Sequence, residues 1–284
     1  MSWQFFLLIY IVLGSVAAIL QKVLLRDNKI DPLGFSVTFQ LVCGFIMGSV
    51  GLLSSEMTYP PLLPLIGNLV IMIALYGFGN ILYFHAVREN DVSDVTVVFA
   101  SRAIFTVIAS SIFLRESLAA NQLFGSFCIL LAVVLVSMKH SRFHINRGMW
   151  LTLLAAFCFG VAITNDRAML QVMGVYPYVT LGFLLPAFVM IGVYRPDRSK
   201  ITVLFQHKSI VTFVVLCLTY SLAAIAFFSA LKLVSNSSVF AILNQITTVI
   251  IVMGSVVFLG ERDNVRNKIL GSIVAFVGLV LLRT

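Results

Sequence analysis

Charge is what this chain has least of. Only 11% of its 284 residues are charged, and 11 acidic side chains stand against 19 basic ones. A soluble domain carries about a quarter charged residues, so an aqueous globular surface is excluded. Cysteine is sparse as well: Cys43, Cys128, Cys158 and Cys217 all fall in apolar stretches, with no C-x-x-C pair among them. Thiol-ligated metal and dithiol redox chemistry are thereby excluded, and the four thiols read as packing groups. Long polar segments are missing too. The longest connections, "KHSRFHINR" (139–147) and "RPDRSKITVLFQHK" (195–208), cannot hold a nucleotide-binding domain, and no Walker-type glycine loop occurs in any connection. His140 and His144 have helical i, i+4 spacing, but they sit in a basic loop without a nearby Cys, Asp or Glu. A metal site needs three or four ligands, so they read as a solvated loop. No metal and no cofactor are expected, and the chain lacks the His, Ser/His or acidic metal clusters of a membrane enzyme.

Hydrophobic residues, by contrast, make up 60% of the chain, and the mean hydropathy is +1.06. Crossing roughly 30 Å of hydrocarbon takes about 18 or more apolar residues as a helix. Ten stretches qualify, near 3–25, 33–53, 62–84, 93–113, 119–138, 148–170, 177–194, 209–231, 237–259 and 266–282. The first is expected to be a mature helix, because "MSWQFF" carries no positive charge and "QKVLLRDNK" offers no small-residue cleavage site. An all-α integral membrane protein is the expected fold class, with the lipid bilayer as its surroundings.

An internal repeat organises the ten stretches. "SSIFLRE" (110–116) recurs as "SVVFLGE" (255–261), "YFHA" (83–86) as "FFSA" (227–230), and "LFGS" (123–126) as "ILGS" (269–272). Tyr76 then pairs with Tyr220, Gly14 with Gly160 and Pro32 with Pro177. Two five-helix halves follow, 1–143 and 144–284. Five is odd, so the second half is expected to cross the membrane upside down, a plan common among secondary transporters with midplane substrate sites.

Two five-helix halves, each with a fourth helix ending in "FLRE" or "FLGE" and a fifth containing "GS", resemble the EamA-type members of the drug/metabolite transporter superfamily. The resemblance spans the whole chain. It implies a carrier of small metabolites, often an exporter, in the plasma (inner) membrane. One departure stands out: many relatives place an acidic or amide residue and then proline where this chain has Arg102–Ala103 and Thr247–Thr248. The usual proline kink therefore lacks its proline here.

The net charge of +8 would suggest nucleic acid in a soluble protein, but here it is distributed by loop. The odd-numbered loops hold fourteen Lys and Arg, Lys22 among them, against four on the other side. By the positive-inside rule the termini lie outside. The family resemblance implies termini inside, and the two remain opposed.

Polar groups deep in a membrane are costly unless they face a cavity or a partner. Arg102 lies near the middle of the fourth stretch, too deep to snorkel, and a five-donor fork suits an anionic or zwitterionic cargo such as an amino acid. Asn244, Thr247 and Thr248 share one face at similar depth, and Tyr76, Asn80 and Tyr83 fall at i, i+4, i+7. Arg102, Tyr76, Asn80, Tyr220, Asn244, Thr247 and Thr248 are the candidate substrate-binding residues. The alternative for each is helix packing, and Gln40 and Asn165 are weaker candidates of the same kind. Asp166 is expected at the interface, compensated by Arg167, with ion pairing to Arg102 or proton uptake as alternatives. Glu116 and Glu261 read as caps or loop contacts. A secondary transporter of a small molecule accounts for these features together, without nucleic acid. A channel-like or structural membrane protein is the alternative, and monomer or homodimer stays open.

Overall fold

The structure, a computed structural model, describes residues 2–27, 29–114, parts of 124–143, 146–194, 205, 207–233, 246–260 and 265–281. Long apolar helices dominate it: α1 (Trp3–Leu25), α2 (Pro32–Leu53), α3 (Ile66–Glu89), α4 (Val92–Phe99), α5 (Arg102–Leu114), α6 (Arg147–Val172), α7 (Val175–Tyr194), α8 (His207–Leu233), α9 (Ile246–Gly254) and α10 (Val265–Leu281). Among the described residues the strand content is a two-residue antiparallel ladder, Met138–Lys139 with Arg142–Phe143. Six of the described helices are long and apolar enough to cross a membrane. Most of the fifth apolar stretch, with Glu116, His140, His144, Asn244 and Glu261, lies outside the described residues.

Local chemistry explains several helix starts. Asp31 accepts from the backbone N–H of Gly34 (3.1 Å) with Pro32 at the first helical position, which opens α2. Asn146 accepts from the N–H of Met149 (2.9 Å) and opens α6. The outer faces carry exposed large apolar side chains such as Phe45, Phe78, Phe113, Phe157 and Val211, a surface suited to lipid and not to water.

Inside, α1 packs along α8, α2 along α7 and α3 along α6. Small residues permit the approach: a Cβ on Gly44 of α2 would stand 2.6 Å from Leu184 of α7. Phe35, Phe39 and Phe84 form a ring cluster, with centroids 4.9 Å apart for Phe35 and Phe84, and Tyr220 joins it at 4.8 Å from Phe39.

Three expectations need correction. The third helix does not stop at 84 but runs to Glu89. Its end is capped from another helix: buried Lys22, expected as a loop cation, donates from Nζ to the carbonyls of Val87 (2.7 Å) and Asn90. Its long stem lets a charge from α1 reach the terminal carbonyls of α3. The fourth stretch is not one helix but two, α4 and α5, interrupted at Ala100–Ser101 without a proline. There the N–H groups of Ser101, Ala103 and Ile104 bond back three residues, to Val98 (3.1 Å), Ala100 (3.1 Å) and Ser101 (2.9 Å). This is a tight 3₁₀ turn, a form that often marks a hinge within a longer helix.

Candidate functional site

The interruption places Arg102 at the first position of α5, facing the middle of the bundle. Its guanidinium carbon lies 4.9 Å from the ring centroid of Phe99, three residues earlier, in a cation–π contact. Phe99 in turn packs on Phe159 of α6 (5.3 Å) and Tyr83 of α3 (5.1 Å). Among the described residues no carboxylate lies within ion-pair distance of Arg102. One face of the cation is covered by the aromatic ring, which leaves guanidinium N–H donors for a further partner.

Arg102 borders two cavities that also share Tyr10, Asn80, Phe159 and Tyr220. One is lined further by Tyr76, Tyr178 and Phe183, and the other by Gln21, Thr96, Thr247 and Thr248. Six of the seven candidate substrate-binding residues thus line these two adjoining cavities: Arg102, Asn80 and Tyr220 both, Tyr76 the first, and Thr247 and Thr248 the second. Asn80 is braced by its own helix, Nδ2 donating to the carbonyl of Tyr76 at 2.8 Å. The weaker candidates line neither cavity. Asn165 Nδ2 donates to the carbonyl of Asn68 across the α3–α6 contact (3.1 Å), and Gln40 Nε2 donates to Ser36 on α2.

Asp166 is 0% exposed, and among the described residues it forms no ion pair with Arg102. Tyr76 of α3 donates its hydroxyl to Oδ2 at 2.5 Å, and Tyr178 of α7 donates to Oδ1. The physical reason is the packing of α6 against α3 beside the start of α7, which turns this carboxylate inward and supplies hydroxyl donors in place of a cation.

Sequence reasoning missed Tyr10, Phe99, Phe159 and Tyr178. Phe99 had a usable signal, standing three residues before Arg102 on the same side of a helical turn. The aromatic side chains of α1, α6 and α7 had none, because Phe and Tyr also fill lipid-facing and core positions throughout this chain.

Known proteins fit this arrangement. One crystal structure of another protein superposes with a TM-score of 0.69, covering 98% of this chain and 95% of its own, at 15% identity, a likeness of fold alone. A 159-residue stretch is 30% identical to "Putative Na(+)/H(+) antiporter YjbQ" of Bacillus subtilis (strain 168). That alignment covers 54% of this chain but 20% of the relative's length. The profile of the EamA-like transporter family matches residues 1–138 and again 146–284. An apolar helical bundle with cavities bordered by an arginine, matched in this way along nearly its whole length, belongs to the EamA-like transporter family.

Proposed function

We propose that this integral membrane protein is a secondary transporter of ten membrane helices in two inverted halves, 1–143 and 144–284. It carries an anionic or zwitterionic small metabolite, such as an amino acid, out across the plasma (inner) membrane by alternating access. The carrying observation is Arg102: a guanidinium in the central cavity, stacked on Phe99, with no carboxylate partner among the described residues. A cation in an apolar bundle is stabilised when an anion joins it, and its fork pairs with a carboxylate through parallel N–H donors. Asn80, Tyr220, Thr247 and Thr248 supply further hydroxyl and amide groups to the same cargo, while Tyr76 lines the cavity with its hydroxyl donated to Asp166.

The helix packing supports the inverted repeat. If α1, α2 and α3 correspond to α6, α7 and α8, the packed pair α1–α8 exchanges with α6–α3, and α2–α7 maps onto itself. The contacts of α1 with α9 and of α6 with α4 exchange in the same way. A twofold axis between the halves produces that pattern, and an odd number of helices per half places the axis in the membrane plane. The interruption before Arg102 resembles the discontinuous helices that form transporter sites.

The test is ligand-dependent thermal stabilisation of the purified chain by carboxylates, amino acids, cations and neutral sugars. A ligand that binds the folded state at 100 times its Kd stabilises by about 2.7 kcal/mol. Selective stabilisation by carboxylate-bearing compounds is expected, together with saturable flux of the same compounds in proteoliposomes. Equal stabilisation by cations, or flux that never saturates, overturns the reading in favour of a channel.

A further inference from the structure

Cargo recognition by Arg102 leaves Asp166 unused. Both of its oxygens are occupied by tyrosine hydroxyls, and the residue is completely enclosed. Hydroxyls offset part of the desolvation of a carboxylate but bring no countercharge, so its ionised form is held under tension in an apolar bundle. Enclosure also decides what can reach it. A metabolite cannot pass the two tyrosines, but a proton can, because Tyr76 and Tyr178 themselves line the cavity.

We propose that Asp166 is the proton-binding site of the transport cycle, filled from cavity water through the hydroxyls of Tyr76 and Tyr178, and that its charge latches α3 to α6 and α7. This rests on the transporter reading. A hydronium ion in the cavity gives a proton to the Tyr76 hydroxyl oxygen while that oxygen's own hydrogen passes to Asp166 Oδ2; the hydronium becomes water, Tyr76 is neutral before and after, and the carboxylate becomes a carboxylic acid. Charge-assisted hydrogen bonds are about twice as strong as neutral ones, so protonation weakens both tyrosine contacts. Tyr76 stands on α3, in the first half, whereas Asp166 and Tyr178 stand on α6 and α7, in the second. The contact that loosens is therefore one that joins the halves, and rocking of the halves requires such contacts to change.

The charged and titratable groups around Asp166 are Tyr76 from α3, Tyr178 from α7, Arg167 beside it on α6, and Arg102 from α5 and Tyr220 from α8 across the cavity.

Infrared difference spectroscopy of the full chain in lipid nanodiscs, with no metabolite added, tests this over about pH 5 to about pH 9, where buried carboxylates titrate. A reversible carboxylic-acid carbonyl band is expected, absent from Asp166→Asn and accompanied by tyrosine ring bands. Tyr76→Phe and Tyr178→Phe each remove a hydrogen-bond partner of the carboxyl group and should move the midpoint by about one unit. If Asp166→Asn does not fold, these two variants decide by themselves: a moved midpoint supports the proposal and an unmoved one overturns it. A wild-type spectrum indistinguishable from that of Asp166→Asn also overturns it. Saturable metabolite flux measured alongside separates the two readings. Flux without an Asp166 band removes the proton site and leaves the transporter, whereas a band without saturable flux of any metabolite overturns the transport role and its coupling together.

Discussion

The carbonyl oxygen of Arg102 lies 2.5 Å from the place a Cβ would take on Gly160, so α6 meets the first turn of α5 backbone to backbone. Thr106 fastens the contact, its hydroxyl lying 3.0 Å from the carbonyl of Arg102 and 2.9 Å from that of Gly160. Any side chain at 160 must push α5 away, and Arg102 moves with it. Gly160 of α6 thus lies against the turn of α5 that carries Arg102, just after the interruption at Ala100–Ser101.

Gly160→Ala should cost about 1–3 kcal/mol by overpacking and should weaken carboxylate-dependent stabilisation, because the guanidinium shifts. Thermal unfolding in detergent, with and without an amino-acid ligand, measures both effects. Gly67→Ala, where a Cβ meets nothing within 4 Å, serves as the control and should leave both unchanged.

Arg102 itself separates cargo binding from architecture. Arg102→Gln should insert and fold yet lose saturable transport, while Arg102→Lys, which keeps the charge but loses the fork, should raise the apparent half-saturation concentration. Transport kinetics in proteoliposomes give the answer, and normal transport by Arg102→Gln would make the residue a structural partner.

Lys22→Met keeps the buried stem and removes the ammonium from the carbonyls of Val87 and Asn90. Leaving buried acceptors without their donor costs about 1–3 kcal/mol. A lowered unfolding temperature with unchanged cargo affinity is expected, since neither Lys22 nor Asn90 lines the central cavities.

Orientation is decided by labelling. The loop charge bias predicts that single cysteines in 139–147 and 195–208 resist a membrane-impermeant thiol reagent in intact cells and react after permeabilisation. Labelling in intact cells would instead put the termini inside, as the family resemblance implies.

Much of the helical framework was legible because helix length and hydropathy are local properties. The first two described helices fall within one residue of the apolar stretches read from the sequence, with Pro32 at the start of the second. The polar candidates were also legible in kind, since Arg, Asn and Tyr in long apolar runs stand out against their surroundings. Their company was not. Tyr76 lies 90 residues from Asp166, and Tyr178 lies 12 residues away on the next helix.

Composition and periodicity by themselves determined that this chain is a membrane-embedded helical protein with a cation inside an apolar run, because a 30 Å apolar layer selects such runs whatever their neighbours. Which helices meet was decided only in the folded chain. That packing enclosed Asp166 between two hydroxyls, turned Lys22 into a cap for α3, and set Gly160 against the backbone of the turn that carries Arg102. Burial and hydrogen-bond partnership belong to pairs of helices, and no single helix encodes the partner it will meet.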